Sequence, residues 1–81
     1  MSIRRGLYRH YKGNIYEVIQ IARHTETLDD CIVYRALYKC PEYGNNAYWV
    51  RPYKMFTSTV NISGKIKPRF EYIGTNVPHV T

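Results

Sequence analysis

Eight isoleucines and six valines stand against three leucines in a chain of 81 residues. β-Branched side chains lose χ1 freedom in a helix and fit the pleated surface of a sheet, so this imbalance directs the backbone toward strands. No window places apolar residues at i, i+3, i+4 and i+7, the stripe an amphipathic helix needs. Turn formers punctuate the chain instead, at Lys12-Gly13-Asn14, Pro41, Gly44-Asn45-Asn46 and Ser63-Gly64-Lys65. Glycine reaches positive φ without a steric cost, and Asn, Asp and Ser bond their own backbone in turns.

Between these turns the pattern predicts strands at Leu7–Tyr11, Ile15–Arg23, Cys31–Lys39 and Tyr48–Arg51, then a closing hairpin of Thr57–Ile62 with Ile66–Ile73. Cys31–Lys39 is the clearest: Ile32, Tyr34, Ala36 and Tyr38 alternate against Cys31, Val33, Arg35 and Leu37. In Ile15–Arg23 the apolar residues fall on both faces, as in a strongly coiled strand. His24–Asp30 is a polar hairpin loop holding three of the six acidic residues. Pro52–Phe56 has the length of one helical turn. The expected architecture is mainly β: a small barrel of five to six short strands, SH3-like or OB-like in size, with one helical turn. One domain spans the chain, with the barrel over about 6–74 and a loose tail over 75–81 that holds Pro78 and His79.

Charge and aromatic content narrow the function classes. Twelve Lys and Arg against six Asp and Glu give a net charge of +6, and nine of the twelve aromatic residues are Tyr. Apolar and aromatic residues make up 44% of the chain, too much for disorder. No apolar run approaches the roughly 18 residues of a membrane span. A multi-domain enzyme does not fit the length. Met1-Ser2-Ile3-Arg4-Arg5 leads into polar sequence with no apolar core of a signal peptide, so a cytoplasmic setting with reduced Cys31 and Cys40 is expected. A chain this short buries only about 60% of its unfolded surface, and dimerisation is one way to bury more.

Several blocks recur together. Tyr8-Arg9-His10-Tyr11-Lys12-Gly13 precedes Tyr16, Val18 and Ala22, then His24-Thr25-Glu26-Thr27. Val33-Tyr34, Leu37-Tyr38, Trp49-Val50-Arg51-Pro52, Met55-Phe56 and Arg69-Phe70 follow. In order and spacing, from about Gly6 to Gly74, the chain resembles the small bacterial domain-of-unknown-function 1653 family. The resemblance implies a small SH3-like barrel and does not point to any particular activity. Three positions depart from the family pattern. Thr25 stands where Ser is usual, the stretch Lys39–Asn46 is longer than the usual connection, and Ser58 replaces a common acid.

These blocks are rich in side chains that do chemistry. Arg offers a rigid fork of donors for phosphate or carboxylate oxygens, and Tyr or Trp stacks on a base at about 1–3 kcal/mol. Arg9, Lys12, Arg51 and Arg69, with His10 beside them, interleave with Tyr8, Tyr11, Tyr34, Tyr38 and Trp49 and suit an anion that carries an aromatic base. Tyr34 and Trp49 are the aromatic residues assigned to the site. The competing reading makes the same cations solvated surface, with Arg9 or Arg51 paired to Glu26 or Glu71 at about 0–1 kcal/mol, and the tyrosines a core whose hydroxyls reach the rim.

His24 and Glu26, two apart on an extended segment, point to one side, where Glu26 could orient His24 as a general base. Against this, Thr25, Glu26 and Thr27 have the composition of a self-bonded turn. No nucleophile elbow, phosphate loop or cofactor motif is present. His10, His24, Cys31 and Cys40 lack metal-ligand spacing. The leading expectation is a non-catalytic module that binds or sequesters a small nucleotide-type anion, with His24 and Glu26 included among its ligand-binding residues. The alternatives are a nucleic-acid-binding barrel, a small hydrolase and a protein-interaction module.

Overall fold

A computed structural model describes residues 2–75, and Pro78 and His79 fall outside them. The chain runs β1 (Gly6–His10), β2 (Ile15–Arg23), β3 (Asp30–Ala36), β4 (Lys39–Cys40), β5 (Gly44–Asn45), β6 (Tyr48–Pro52), α1 (Tyr53–Phe56), β7 (Thr59–Ile62), β8 (Lys65–Pro68) and β9 (Phe70–Gly74). Five strands form one antiparallel sheet in the order β6-β3-β2-β1-β9, while β4–β5 and β7–β8 are separate hairpins. The mainly β class follows from the sequence; the closed barrel does not. No ladder joins β6 to β9, and α1 with the β7–β8 hairpin lies between them in the chain, so the sheet stays open.

Local chemistry sets each boundary. The β1–β2 turn closes through Gly13 N–H to the His10 carbonyl at 2.7 Å, with Gly13 at φ +109°. The β2–β3 register shifts between Val18 and Gln20, a bulge that re-aims the following side chains. It accounts for apolar residues on both faces of β2: Val18 is buried while Ile19 and Ile21 are each half-buried. Gly6 is needed sterically as well as conformationally. It sits at φ +137°, and a Cβ there would meet the Gly74 carbonyl oxygen at 2.5 Å.

Two expected strands are shorter than their patterns. β3 ends at Ala36 rather than Lys39, because the chain bends at Leu37-Tyr38 and re-pairs as the β4–β5 hairpin inside the 39–46 stretch. Ile66–Ile73 is two strands, with Lys65–Pro68 pairing β7 and Phe70–Gly74 pairing β1. Pro68 has no N–H to extend a ladder. At Arg69 the backbone switches partners, donating to Ser58 and accepting from Tyr11. The helical turn begins at Tyr53, with Pro52 as its cap.

The core is unusually aromatic. Tyr8, Val18, Ile32, Tyr34, Phe56 and Phe70 form one buried cluster, against which Ile3, Tyr16, Ile21, Tyr53 and Tyr72 pack. Phe56 and Phe70 stack at 4.0 Å with an interplanar angle of 6°, and Tyr8 and Tyr34 meet Phe56 edge-on at 5.4 and 5.3 Å. Such pairs add about 0.5–1.5 kcal/mol beyond area burial. Tyr8 satisfies its hydroxyl at the Arg4 carbonyl, 2.7 Å away. Part of the tyrosine excess is therefore core. Cys31 is buried, Cys40 half-buried, and both are free thiols. No helix among the described residues is long and apolar enough to cross a membrane.

Candidate functional site

β2, β3 and β6 each contribute to a cleft of about 170 Å³ lined by Tyr16, Tyr34, Tyr38, Trp49 and Arg51. On β6, Trp49 and Arg51 are two apart, so the strand's alternation turns both to this face. They stand opposite Tyr34 and Ile32 of β3. Arg51 is held from below: its Nε donates to the Tyr34 hydroxyl at 3.2 Å, and its guanidinium lies 5.4 Å from the centre of the Phe70 ring. Tyr16 and Tyr38 share a hydroxyl–hydroxyl bond of 2.8 Å on the opposite wall. Desolvation, reinforced by that bond, holds the Tyr16 phenol well above its ordinary pKa, so it stays protonated. Trp49 meets Tyr43 edge-on at 5.1 Å.

The cleft carries positive charge with no acid in its lining. Among the described residues the ion pairs join Arg35 to Glu17 and Arg23 to Asp30; Arg51 and Arg69 enter neither. Arg69 donates from Nε to the Ser58 hydroxyl at 2.9 Å, and that hydroxyl in turn donates to the Met55 carbonyl. Arg69 is thus met by a neutral acceptor, and among the described residues no carboxylate pairs with it.

His10 reports on this field. Its ring lies 4.8 Å from that of Phe70 and 6.4 Å from that of Tyr16, and its Nδ1 accepts the Lys12 N–H at 3.2 Å. Burial lowers its pKa below the ordinary value, and Arg51, Lys12 and Arg69 lower it further. The imidazole is therefore neutral at pH 7.

The expected site residues divide into three groups. Tyr34, Trp49 and Arg51 line one cleft. His10 lies outside its lining, with its ring against Phe70 and near Tyr16, and Arg51, Lys12 and Arg69 act on it electrostatically. Arg9 lies one residue from His10 and points to the other face of β1. There it faces Glu71 in register without forming an ion pair, and both line a second hollow with His10, Tyr11, Lys67 and Pro68. His24 and Glu26 sit at the far end of the β2–β3 hairpin. Seven residues of strand, roughly 23 Å, separate Arg23 from Tyr16.

The geometry at that end agrees with the turn reading. His24 Nδ1 accepts the backbone N–H groups of Glu26 at 3.0 Å and Thr27 at 3.2 Å, and Thr27 Oγ1 accepts the Asp29 N–H. The imidazole is used as a turn cap rather than presented to a substrate by Glu26.

Tyr38, named among the interleaved aromatics though not assigned to the site, follows the break in β3 and lines the cleft from beyond it. Tyr16 is the lining residue that the sequence reading left out of that set. Tyr16 sits opposite Ala36 and beside Tyr8 through ladders on either side of β2. A small residue facing a large one across a hairpin is the signal that could have placed it.

A mainly β domain of this size with an open, aromatic-floored sheet is a recognisable class. The chain matches the family model described as protein of unknown function (DUF1653) over residues 6–72. It is also similar to a crystal structure of a DUF1653 protein from Bordetella bronchiseptica, at 33% identity and a TM-score of 0.83, covering 96% of each chain. The chain belongs to the DUF1653 family. No curated protein matched.

Proposed function

We propose that this protein is a non-catalytic binding module for a small nucleotide-type anion, with Arg51 as the phosphate contact and Trp49 as the stacking surface. The observation that carries the reading is Arg51 itself. It is a guanidinium without an ion pair, anchored through Nε, in a cleft whose other four walls are aromatic. Anchoring one nitrogen leaves the terminal N–H groups as a bidentate fork for phosphate oxygens. Tyr16, held protonated, shares a hydroxyl bond with Tyr38, and the O–H of that pair not used in the bond is a neutral donor beside Arg51.

Size sharpens the proposal. About 170 Å³ is below the roughly 300–1,000 Å³ of sites that engulf a drug-sized ligand. The cleft takes one phosphate, while the base lies outside it over Trp49 and the exposed Tyr43. Arg69 and Lys12 extend the favourable field, and a small cytoplasmic protein of this kind acts by sequestering or sensing its ligand. An oligonucleotide is the second reading, favoured by Arg9 and Lys67, which outnumber Glu71 around the neighbouring hollow.

Thermal shift against mononucleotides, cyclic dinucleotides and inorganic phosphate tests the proposal. Stabilisation by one nucleotide class, abolished in Arg51→Ala, is the expected result. Failure of every member to stabilise the protein overturns it. Binding to a labelled oligonucleotide with a steep salt slope transfers the reading to a nucleic-acid strand.

A further inference from the structure

We propose that β6 is the interface of a symmetric dimer, in which two copies of this chain pair their Tyr48–Pro52 strands antiparallel about Val50. β6 ends the five-stranded sheet and pairs only with β3. The Ala36 N–H donates to the Ala47 carbonyl at 2.8 Å, and these two residues continue the register that sets Tyr34 opposite Trp49 and Ile32 opposite Arg51. Hydrogen-bonded and non-hydrogen-bonded pairs alternate in an antiparallel ladder. The backbone polar groups of Trp49 and Arg51 therefore point into the sheet. Those of Tyr48 and Val50, with the Pro52 carbonyl, point outward.

The side chains on this edge are apolar and uncovered. Tyr48 and Val50 are each 64% exposed and Trp49 is 37% exposed. Natural edges are usually guarded by lysine, inward charge, bulges or extreme shortness. β9, at the other end of the sheet, carries Glu71 and closes at Gly74. Tyr48-Trp49-Val50 has no guard before Pro52.

A second copy fits because the strand is complementary to itself. With Val50 on the twofold axis, Val50 faces the partner's Val50, and Tyr48 faces the partner's Pro52 on the same outer face. On the inner face Trp49 faces the partner's Arg51 in a non-hydrogen-bonded pair. Cα atoms are about 4.5 Å apart in such pairs, close enough for a cation–π contact, formed twice by symmetry. Val50 N–H groups donate reciprocally to the partner's Val50 carbonyl, and each Tyr48 N–H donates to the partner's Pro52 carbonyl. Pro52, without an N–H, ends the ladder at both sides and limits it to a closed pair. An unrelated extended peptide satisfies the backbone but supplies neither the Trp–Arg match nor this stop.

The dimer stands on edge geometry and is independent of the ligand reading. Where both hold, the partner's Trp49 becomes a further wall of the Arg51 cleft. Each copy carries a net charge of +6, so added salt tightens association by screening repulsion.

Sedimentation equilibrium across protein concentration, with amide hydrogen exchange at Tyr48 and Val50, decides it. A concentration-dependent monomer–dimer equilibrium is expected, with both amides slowing as dimer forms. Val50→Pro removes only an outward N–H and leaves the β3 ladder intact. It weakens dimerisation by about tenfold or more, and Val50→Lys does the same through like charge at the axis. Pro52→Ala restores a donor and tightens the dimer. A chain monomeric at every concentration overturns the proposal. So does a dimer unmoved by both Val50 variants, or a foreign strand captured on β6 by a monomer.

Discussion

Two ends of the β2–β3 hairpin carry histidines with polar company, and they put those residues to opposite uses. At the Arg23 end, His24 spends its Nδ1 lone pair on two backbone amides and shapes a loop. At the Tyr16 end, His10 sits against Phe70 among three cations, and Arg51 faces an aromatic cleft with no carboxylate to neutralise it. The difference lies in where the chain supplies partners. A loop satisfies its side chains locally, whereas strand residues from β1, β2, β3, β6 and β9 bring unneutralised charge together over a shared core. The proposed binding site is therefore the second end.

The largest expected effect breaks the cleft through its floor. Phe70→Ala removes the ring stacked on Phe56 beneath Arg51 and costs about 3–5 kcal/mol, measured by chemical denaturation. In a small domain that is a large part of the total stability, so cleft and fold fail together. Arg51→Ala separates them. It removes one hydrogen bond, worth about 1 kcal/mol, leaving a cooperatively folded protein that has lost at least about tenfold in nucleotide affinity by titration calorimetry. At the other end, His24→Ala costs about 1 kcal/mol, as the loss of a capping acceptor does, and leaves ligand affinity unchanged. His24→Asn restores most of that stability, because Asn presents an acceptor to the same amides. A loss of binding in His24→Ala would erase the contrast between the ends.

The smallest effect is pH-dependent and belongs to His10. Its folded pKa lies below the ordinary value of 6.5. The unfolded chain therefore binds the proton first as pH falls. Stability from this group is full above about pH 6.5 and declines as pH drops toward the folded pKa. Denaturation midpoints followed through that window should fall in the wild type and flatten in His10→Gln. An anion bound beside His10 raises its pKa, so ligand should narrow the same window.

Much of the local structure was legible in the sequence. The Lys12-Gly13-Asn14 and Ser63-Gly64-Lys65 turns, the alternation of Ile32, Tyr34 and Ala36, and the Trp49–Pro52 block sit where their chemistry places them. Arg51, Trp49 and Tyr34, singled out for the mixture of cation and aromatic, line one cleft. What escaped was non-local. Pro68 and Arg69 move the chain from one sheet to another, splitting a run that reads as one strand. The Arg69 contact with Ser58 spans that switch, and its effect on charge emerges only once the two meet. Whether β6 and β9 join depends on the twist and curvature of the whole sheet, which a strand-by-strand pattern does not encode. For His24 the sequence offered both a general base and a self-bonded turn, and the backbone amides on its Nδ1 agree with the turn.

Trp49 is the single tryptophan of the chain and lines the cleft with Arg51, so its fluorescence reads the proposed site without a label. Titration of the wild type with the nucleotide that gives the largest thermal shift should produce a saturable change in Trp49 emission. The change should vanish in Arg51→Ala and persist in His24→Ala. A Trp49 signal that no nucleotide moves, or one that survives intact in Arg51→Ala, would contradict the assignment of this cleft as the binding site.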